Sequence, residues 1–227
     1  MRSRPTLALT VLAVALGAAT GEASAAEISV NRSCFADPTD REDTVTVRGS
    51  GFAPNARYQV ILDGRPLKGG AGRTDKDGRM SGRFVAPSVG TVSRVARRHR
   101  FDLRVRQGGF EPAVYFTVSR LFASFSPARG NPRKLKVRFS AFGFSLTGQK
   151  RPPIYVHYVS PRGKLARTVR LGRGTGACGF RRTGKRRLFA FDPIRGSWRL
   201  QFDTRRRYRE GTSRSGFLFY TLRVKVR

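Results

Sequence analysis

Three side chains in this 227-residue chain have the types that nucleophilic catalysis uses: His157, Cys178 and Arg181. A thiolate can attack a carbonyl, an imidazole can carry its proton, and a guanidinium can steady the oxyanion. Their settings weaken the idea. Cys178 stands in the glycine-rich run Gly174-Thr175-Gly176-Ala177-Cys178-Gly179, and His157 alternates with apolar residues, which predicts a surface or rim position. The other histidine, His99, lies in Arg97-Arg98-His99-Arg100, where Asp102 is the nearest candidate to orient it. Asp75-x-Asp77-Gly78 opens like a calcium loop, but Met80, Ser81 and Arg83 follow where further oxygen ligands are needed. It reads as a turn. The expectation is no enzyme, no metal and no cofactor.

The basic runs are the stronger lead. They are Arg181-Arg182, then Lys185-Arg186-Arg187, then Arg205-Arg206-Arg207 with Arg209. Guanidinium groups grip phosphate bidentately, so these nine residues are the candidate polyanion-binding set. The net charge of +32 is uneven. Residues 120–227 hold 28 basic and 3 acidic residues (Asp192, Asp203, Glu210), whereas 27–119 hold 16 and 10. Such a field attracts anionic polymers and is screened within about 10 Å at 0.1 M salt. A GC-rich coding sequence would also favour arginine, and the surface would be positive for either reason. The partners expected are an anionic cell-wall polymer, an acidic polysaccharide or extracellular nucleic acid, bound without base reading.

Positioning these groups falls to strands. Thr44 to Leu67 sets the pattern: Val45 and Val47 alternate with Thr44, Thr46 and Arg48, Gly49-Ser50-Gly51 breaks the run, and Phe52 follows as an apolar plug. Ala53-Pro54-Asn55-Ala56 is turn chemistry; Tyr58, Val60 and Leu62 alternate again; Asp63-Gly64 signals a hairpin. This stretch resembles the secreted bacterial immunoglobulin-like repeats of the IPT/TIG type, with their V-x-V-x-G-x-G-F-x-P signature and D-G turn. The resemblance implies a β-sandwich and says little of function. Further strands are expected at Ile28–Phe35, Met80–Val85, around Phe101-Leu103-Val105 and around Val114-Phe116-Val118. The pattern then recurs. Leu121–Phe125, the alternations Leu135-Val137-Phe139 and Ile154-Val156-Tyr158, Leu165–Leu171, Leu188–Phe191, Trp198-Leu200-Phe202 and Leu218–Val226 read as strands, with Gly143-Phe144 standing where Gly51-Phe52 stood. The expectation is therefore all-β: two consecutive immunoglobulin-like β-sandwich domains, 27–119 and a basic divergent repeat at 120–227, with little linker between them.

Arg2 and Arg4, the apolar run Leu7–Ala19 and the small residues Ala23-Ser24-Ala25-Ala26 read as a signal peptide over 1–26. No transmembrane segment is expected in the mature chain, which is placed outside the cell or in its envelope. There Cys34 and Cys178, one in each half, could form a disulfide or remain two separate thiols. The order His157, Cys178, Arg181 also matches that of sortase-like cell-wall transpeptidases, but their T-L-x-T-C strand is missing, as is the S-H-G-C motif of L,D-transpeptidases. The function expected is an exported, non-enzymatic module attached to polyanions through its basic half. A structural or adhesive spacer that binds proteins is the alternative, and a Cys/His transpeptidase the remote one.

Overall fold

The computed structural model describes residues 25–212 and 214–227; all but the last two residues of the expected signal peptide lie outside the described residues. No helix of the described residues is long and apolar enough to cross a membrane. The chain is all-β. The strands are β1 (Glu27–Val30), β2 (Cys34–Ala36), β3 (Thr44–Ser50), β4 (Arg57–Leu62), β5 (Arg65–Arg73), β6 (Met80–Val85), β7 (Arg98–Arg106) and β8 (Ala113–Ser119). They continue as β9 (Phe122–Ser126), β10 (Lys136–Phe142), β11 (Pro153–Val159), β12 (Leu165–Arg173), the two-residue β13 (Arg181–Arg182) and β14 (Arg186–Arg187), β15 (Gly196–Asp203) and β16 (Phe219–Val226).

In the N-terminal half a sheet of order β1-β3-β6 faces one of order β2-β8-β7-β4-β5. Their inward residues, among them Phe35, Val45, Val47, Phe101, Leu103 and Phe116, form one apolar core. In the C-terminal half β9, β13 and β14 pair with β10, opposite a sheet of order β12-β11-β15-β16. A second core, including Phe139, Ile154, Val156, Leu200 and Phe202, fills the space between them. The two halves share a connectivity: β4-β7-β8 with β5 outside β4 corresponds to β11-β15-β16 with β12 outside β11. This is an immunoglobulin-like strand order. Gly51 and Gly143 sit at equivalent corners with φ of 75° and 80°, and each hands the chain to a buried phenylalanine, Phe52 or Phe144. The left-handed backbone there is why glycine precedes the plug.

Two expectations need correction. Ile28–Phe35 is not one strand: β1 pairs with β3, and after Asn31-Arg32-Ser33 the chain crosses to pair β2 in parallel with β8. Leu188–Phe191 is not a strand. Leu188 and Phe189 are buried, but only the Leu188 amide reaches the neighbouring sheet, at Leu135 O, and Leu188 O accepts the Tyr158 hydroxyl. The Asp63-Gly64 hairpin returns as β5. Its run Gly69-Gly70-Ala71-Gly72 carries no alternation that sequence inspection could detect, and its pairing with β4 slips between Gln59 and Ile61.

Candidate functional site

The basic runs fall on two surfaces. Arg181 and Arg182 pair with Ala141 and Ser140, and Arg186 and Arg187 pair with Val137 and Lys136, so both short strands run along β10. Arg182, Lys185, Arg186 and Arg187 are exposed, whereas Arg181 is half-buried and its Nε donates to Leu171 O at 3.0 Å. Arg205, Arg206, Arg207 and Arg209 belong to the segment after β15 and are also exposed. The first two runs therefore make one strip at a sheet edge, and the third belongs to the opposite sheet.

That third run has a supporting layer the sequence did not announce. Inward residues of β11 and β15 leave His157, Gln201 and Asp203 on the outer face of the sheet, yet all three are buried. Segment 204–211 covers them. Gln201 Oε1 accepts from Gly211 N at 2.9 Å, and Gln201 Nε2 donates to Arg209 O and to Asp203 Oδ2. Asp203 Oδ1 accepts from Arg205 N at 2.8 Å and meets His157 Nε2 at 3.1 Å. His157 Nδ1 meets Thr168 Oγ1 at 2.8 Å, and the Tyr208 ring lies 5.4 Å from the imidazole. The Tyr208 hydroxyl accepts from Arg199, which also pairs with Glu210. Every hydrogen-bonding atom of the buried Asp203 carboxylate is used, which is what makes a buried carboxylate tolerable. His157 is thus wholly buried, not a rim residue, because the returning segment makes an outer face into an interior one. Asp203 and Gln201 carried no sequence signal beyond alternating with Leu200 and Phe202.

Cys34 and Cys178 form a disulfide. Cys178 is therefore no thiolate, and the transpeptidase arrangement is absent: His157 engages Thr168 and Asp203 instead. Around the bridge, Ala36 and Leu146 are buried and Leu121 and Leu218 pack against them. The acidic loop after β2 closes the junction. Leu121 N donates to Asp40 Oδ2 at 2.7 Å, and Arg41 donates to Leu146 O. Arg97 lies over Phe122 and Arg98 over Phe180, at 4.2 and 4.4 Å from the ring centres.

Burial pushes the Asp43 carboxyl up, but the Ala36 amide, Arg41 and Arg32 outweigh it and hold the group below the usual carboxylate range. Asp37 is likewise opposed by burial and held low by Thr39, Val89 N and Ser88. Asp40 goes the other way: burial raises it, the nearby Asp37 adds to the rise, and the Leu121 amide offsets only part.

The Asp75 turn is a turn. Asp75 Oδ1 accepts from Asp77 N and Arg79 N, and Gly78 has φ 69°. His99 is oriented by Asp63 at 2.9 Å, not by Asp102, whose carboxylate takes Arg104. No group of three or more His, Cys, Asp or Glu side chains is placed to hold a metal among the described residues.

No known protein family matches the chain, and no curated protein matches it. Solved structures with a similar path include a tetra-tandem repeat from the extending region of a large adhesion protein, at 12% identity over 89% of this chain and 49% of that one, TM-score 0.29. The human OSCAR ligand-binding domain aligns at 12% identity over 88% of this chain and 97% of that one, TM-score 0.33. The Pseudomonas aeruginosa CupB2 chaperone aligns at 12% identity over 86% and 97%, TM-score 0.26. The chain spans about half the length of the adhesion-protein structure. All are binding, adhesion or chaperone proteins by description, and the strand order described above, not their low TM-scores, carries the fold.

Proposed function

We propose that the chain is an exported, non-enzymatic module of the cell envelope or extracellular space. In this reading residues 1–26 are the leader, 27–119 and 120–227 are two immunoglobulin-like domains, and the second attaches to anionic polymer. The observation that supports it is a shortage of counter-charge. Residues 120–227 hold 28 basic side chains and 3 carboxylates. Of those, Asp203 is buried against His157 and Glu210 is paired with Arg199, which leaves Asp192 as the exposed one without an ion pair among the described residues. Apart from Arg120, which pairs with Asp37, the remaining cations take their counterions from solution, and a polyanion gains by displacing them.

The test is retention on an immobilised phosphate-bearing polymer against salt. Log affinity should fall linearly with log salt, and neutralising Arg182, Arg186 and Arg187 to glutamine should lower the slope by about one per lost phosphate contact. Retention that ignores salt would overturn the reading.

A second reading, a spacer that binds protein partners, is favoured by the covalently locked junction at Cys34–Cys178, which suits a module that holds two binding surfaces apart. Its mark would be a partner retained at high salt.

A further inference from the structure

A pocket opens beside the buried imidazole. Tyr155, Thr168, Arg170 and Arg206 line a cavity of about 480 Å³. The residues come together by register: Tyr155 is opposite Arg170 on β12 and Asp203 on β15, and His157 is opposite Thr168 and Gln201. Arg206 arrives from the covering segment, whose backbone is anchored to Asp203 and Gln201 on either side. Two arginines, a threonine and a tyrosine thus line one concavity, and no Asp or Glu does.

We propose that this pocket seats a single phosphodiester group of an anionic polymer, and that seating it charges His157. The inference deepens the polyanion reading, on which it rests, by assigning one built seat within a broadly cationic surface. The cavity exceeds one oxyanion, so the flanking parts of a polymer unit fit beside it.

The coupling follows from one proton. A neutral His157 that donates from Nε2 to Asp203 leaves Nδ1 an acceptor, and Nδ1 then takes the Thr168 hydroxyl proton. The hydroxyl offers the pocket lone pairs only, which an anion rejects. A charged His157 donates from both nitrogens, Nδ1–H to Thr168 Oγ1 and Nε2–H to Asp203. The hydroxyl proton is then free to point at the anion. Binding and protonation favour each other by linkage.

The charges around the ring pull in both directions. Asp203 on β15 touches the imidazole, Thr168 on β12 is neutral, and Tyr155 on β11 and Tyr208 from the covering segment flank it. Glu210 is engaged by Arg199. Arg170 and Arg206 line the pocket beyond Thr168 and oppose imidazole charge until an anion offsets them.

The experiment uses the intact, oxidised chain and dimethyl phosphate, a phosphodiester that keeps one charge across the histidine range, followed by NMR of the imidazole nitrogens. The chain has two histidines, so a His99→Gln variant isolates the His157 signals. Expected are saturable binding, about tenfold tighter near pH 5.5 than near pH 8, and movement of the Nδ1 resonance to the imidazolium position on saturation. Arg170→Gln and Arg206→Gln should each weaken binding about tenfold at both pH values. Thr168→Val should remove most of the pH dependence, leaving the part that comes from charge alone, and Thr168→Ser should keep it, with both variants folded by circular dichroism. Equal affinity at the two pH values, no saturable shift, or indifference to both arginine variants would overturn the proposal. If wild type still elutes from the polymer with salt in those cases, only this seat falls; if salt has no effect, the broader reading falls with it.

Discussion

Cys34 and Cys178 are 144 residues apart in the chain and 5.2 Å apart between Cα atoms, and their bridge ties β2 of the first core to the glycine-rich loop beside the second. Closing so long a loop removes much of the freedom of the unfolded chain, about 5 kcal/mol in the chain-entropy model and typically 2–5 in practice. Reduction, or a Cys34→Ser/Cys178→Ser double variant, should lower the guanidinium midpoint by a corresponding amount. Equilibrium denaturation with and without reductant checks it, and an unchanged midpoint would mean that the junction restrains the chain without the bridge.

Asp43 and Asp40 should respond oppositely to the same substitution. Asp43 has a depressed folded-state value, so its stabilisation is complete above the unfolded carboxyl value, near pH 4, and is lost as pH falls through the folded value. Asp43→Asn should cost about 2 kcal/mol at pH 7 and flatten the acid limb of the stability curve. Asp40 is raised, so its ionised form is disfavoured by folding and stability falls as pH rises through its folded value. Asp40→Asn keeps an oxygen acceptor for the Leu121 amide and should be neutral or stabilising at pH 7. Urea midpoints from pH 3 to 8 for both variants decide the matter.

Phe144 and Phe52 occupy matching corners of the two halves, with 0% and 5% exposure. Phe144→Ala should cost about 3–5 kcal/mol, and Phe52→Ala should fall toward the lower end because its site is less enclosed. Gly143→Ala should also destabilise the chain. Its φ of 80° is left-handed, and a β-carbon would sit 2.6 Å from Arg120 O, a backbone atom that cannot swing away. Thermal melts of the three variants give the order.

Alternation made most of the strands legible, because Val45/Val47, Phe101/Leu103/Val105 and Trp198/Leu200/Phe202 each had one dry face to fill. The Asp63-Gly64 hairpin was legible for the same kind of reason: both residues take positive φ, which few pairs tolerate. What stayed hidden depended on partners distant in sequence. The Gly69–Gly72 stretch of β5 is held by pairing with β4, not by its own side chains. The sheet switch between β1 and β2 depends on β8, some 80 residues on. His157 looked like an outer-face residue, and it is one; only the return of segment 204–211 buries it. The basic runs could be read as charge, but not as two separate surfaces.

That covering segment supplies the last prediction. Arg205, Arg206, Arg207 and Arg209 are exposed trypsin sites on a backbone pinned by Gln201 and Asp203. Cleavage there requires the segment to lift, so its rate reports the local opening equilibrium rather than global unfolding. Gln201→Leu removes the bonds to Gly211 N and Arg209 O and one to Asp203, while an apolar group of similar length fills the space. Losing two or three such bonds at roughly 1 kcal/mol each should speed native-state cleavage within 205–209 by about 30–160-fold. The urea midpoint should move far less, because both apolar cores remain intact. Mass spectrometry of timed digests locates the cuts. Equal cleavage rates in wild type and variant would mean that Gln201 does not hold the segment down, and the buried state of His157 would need another cause.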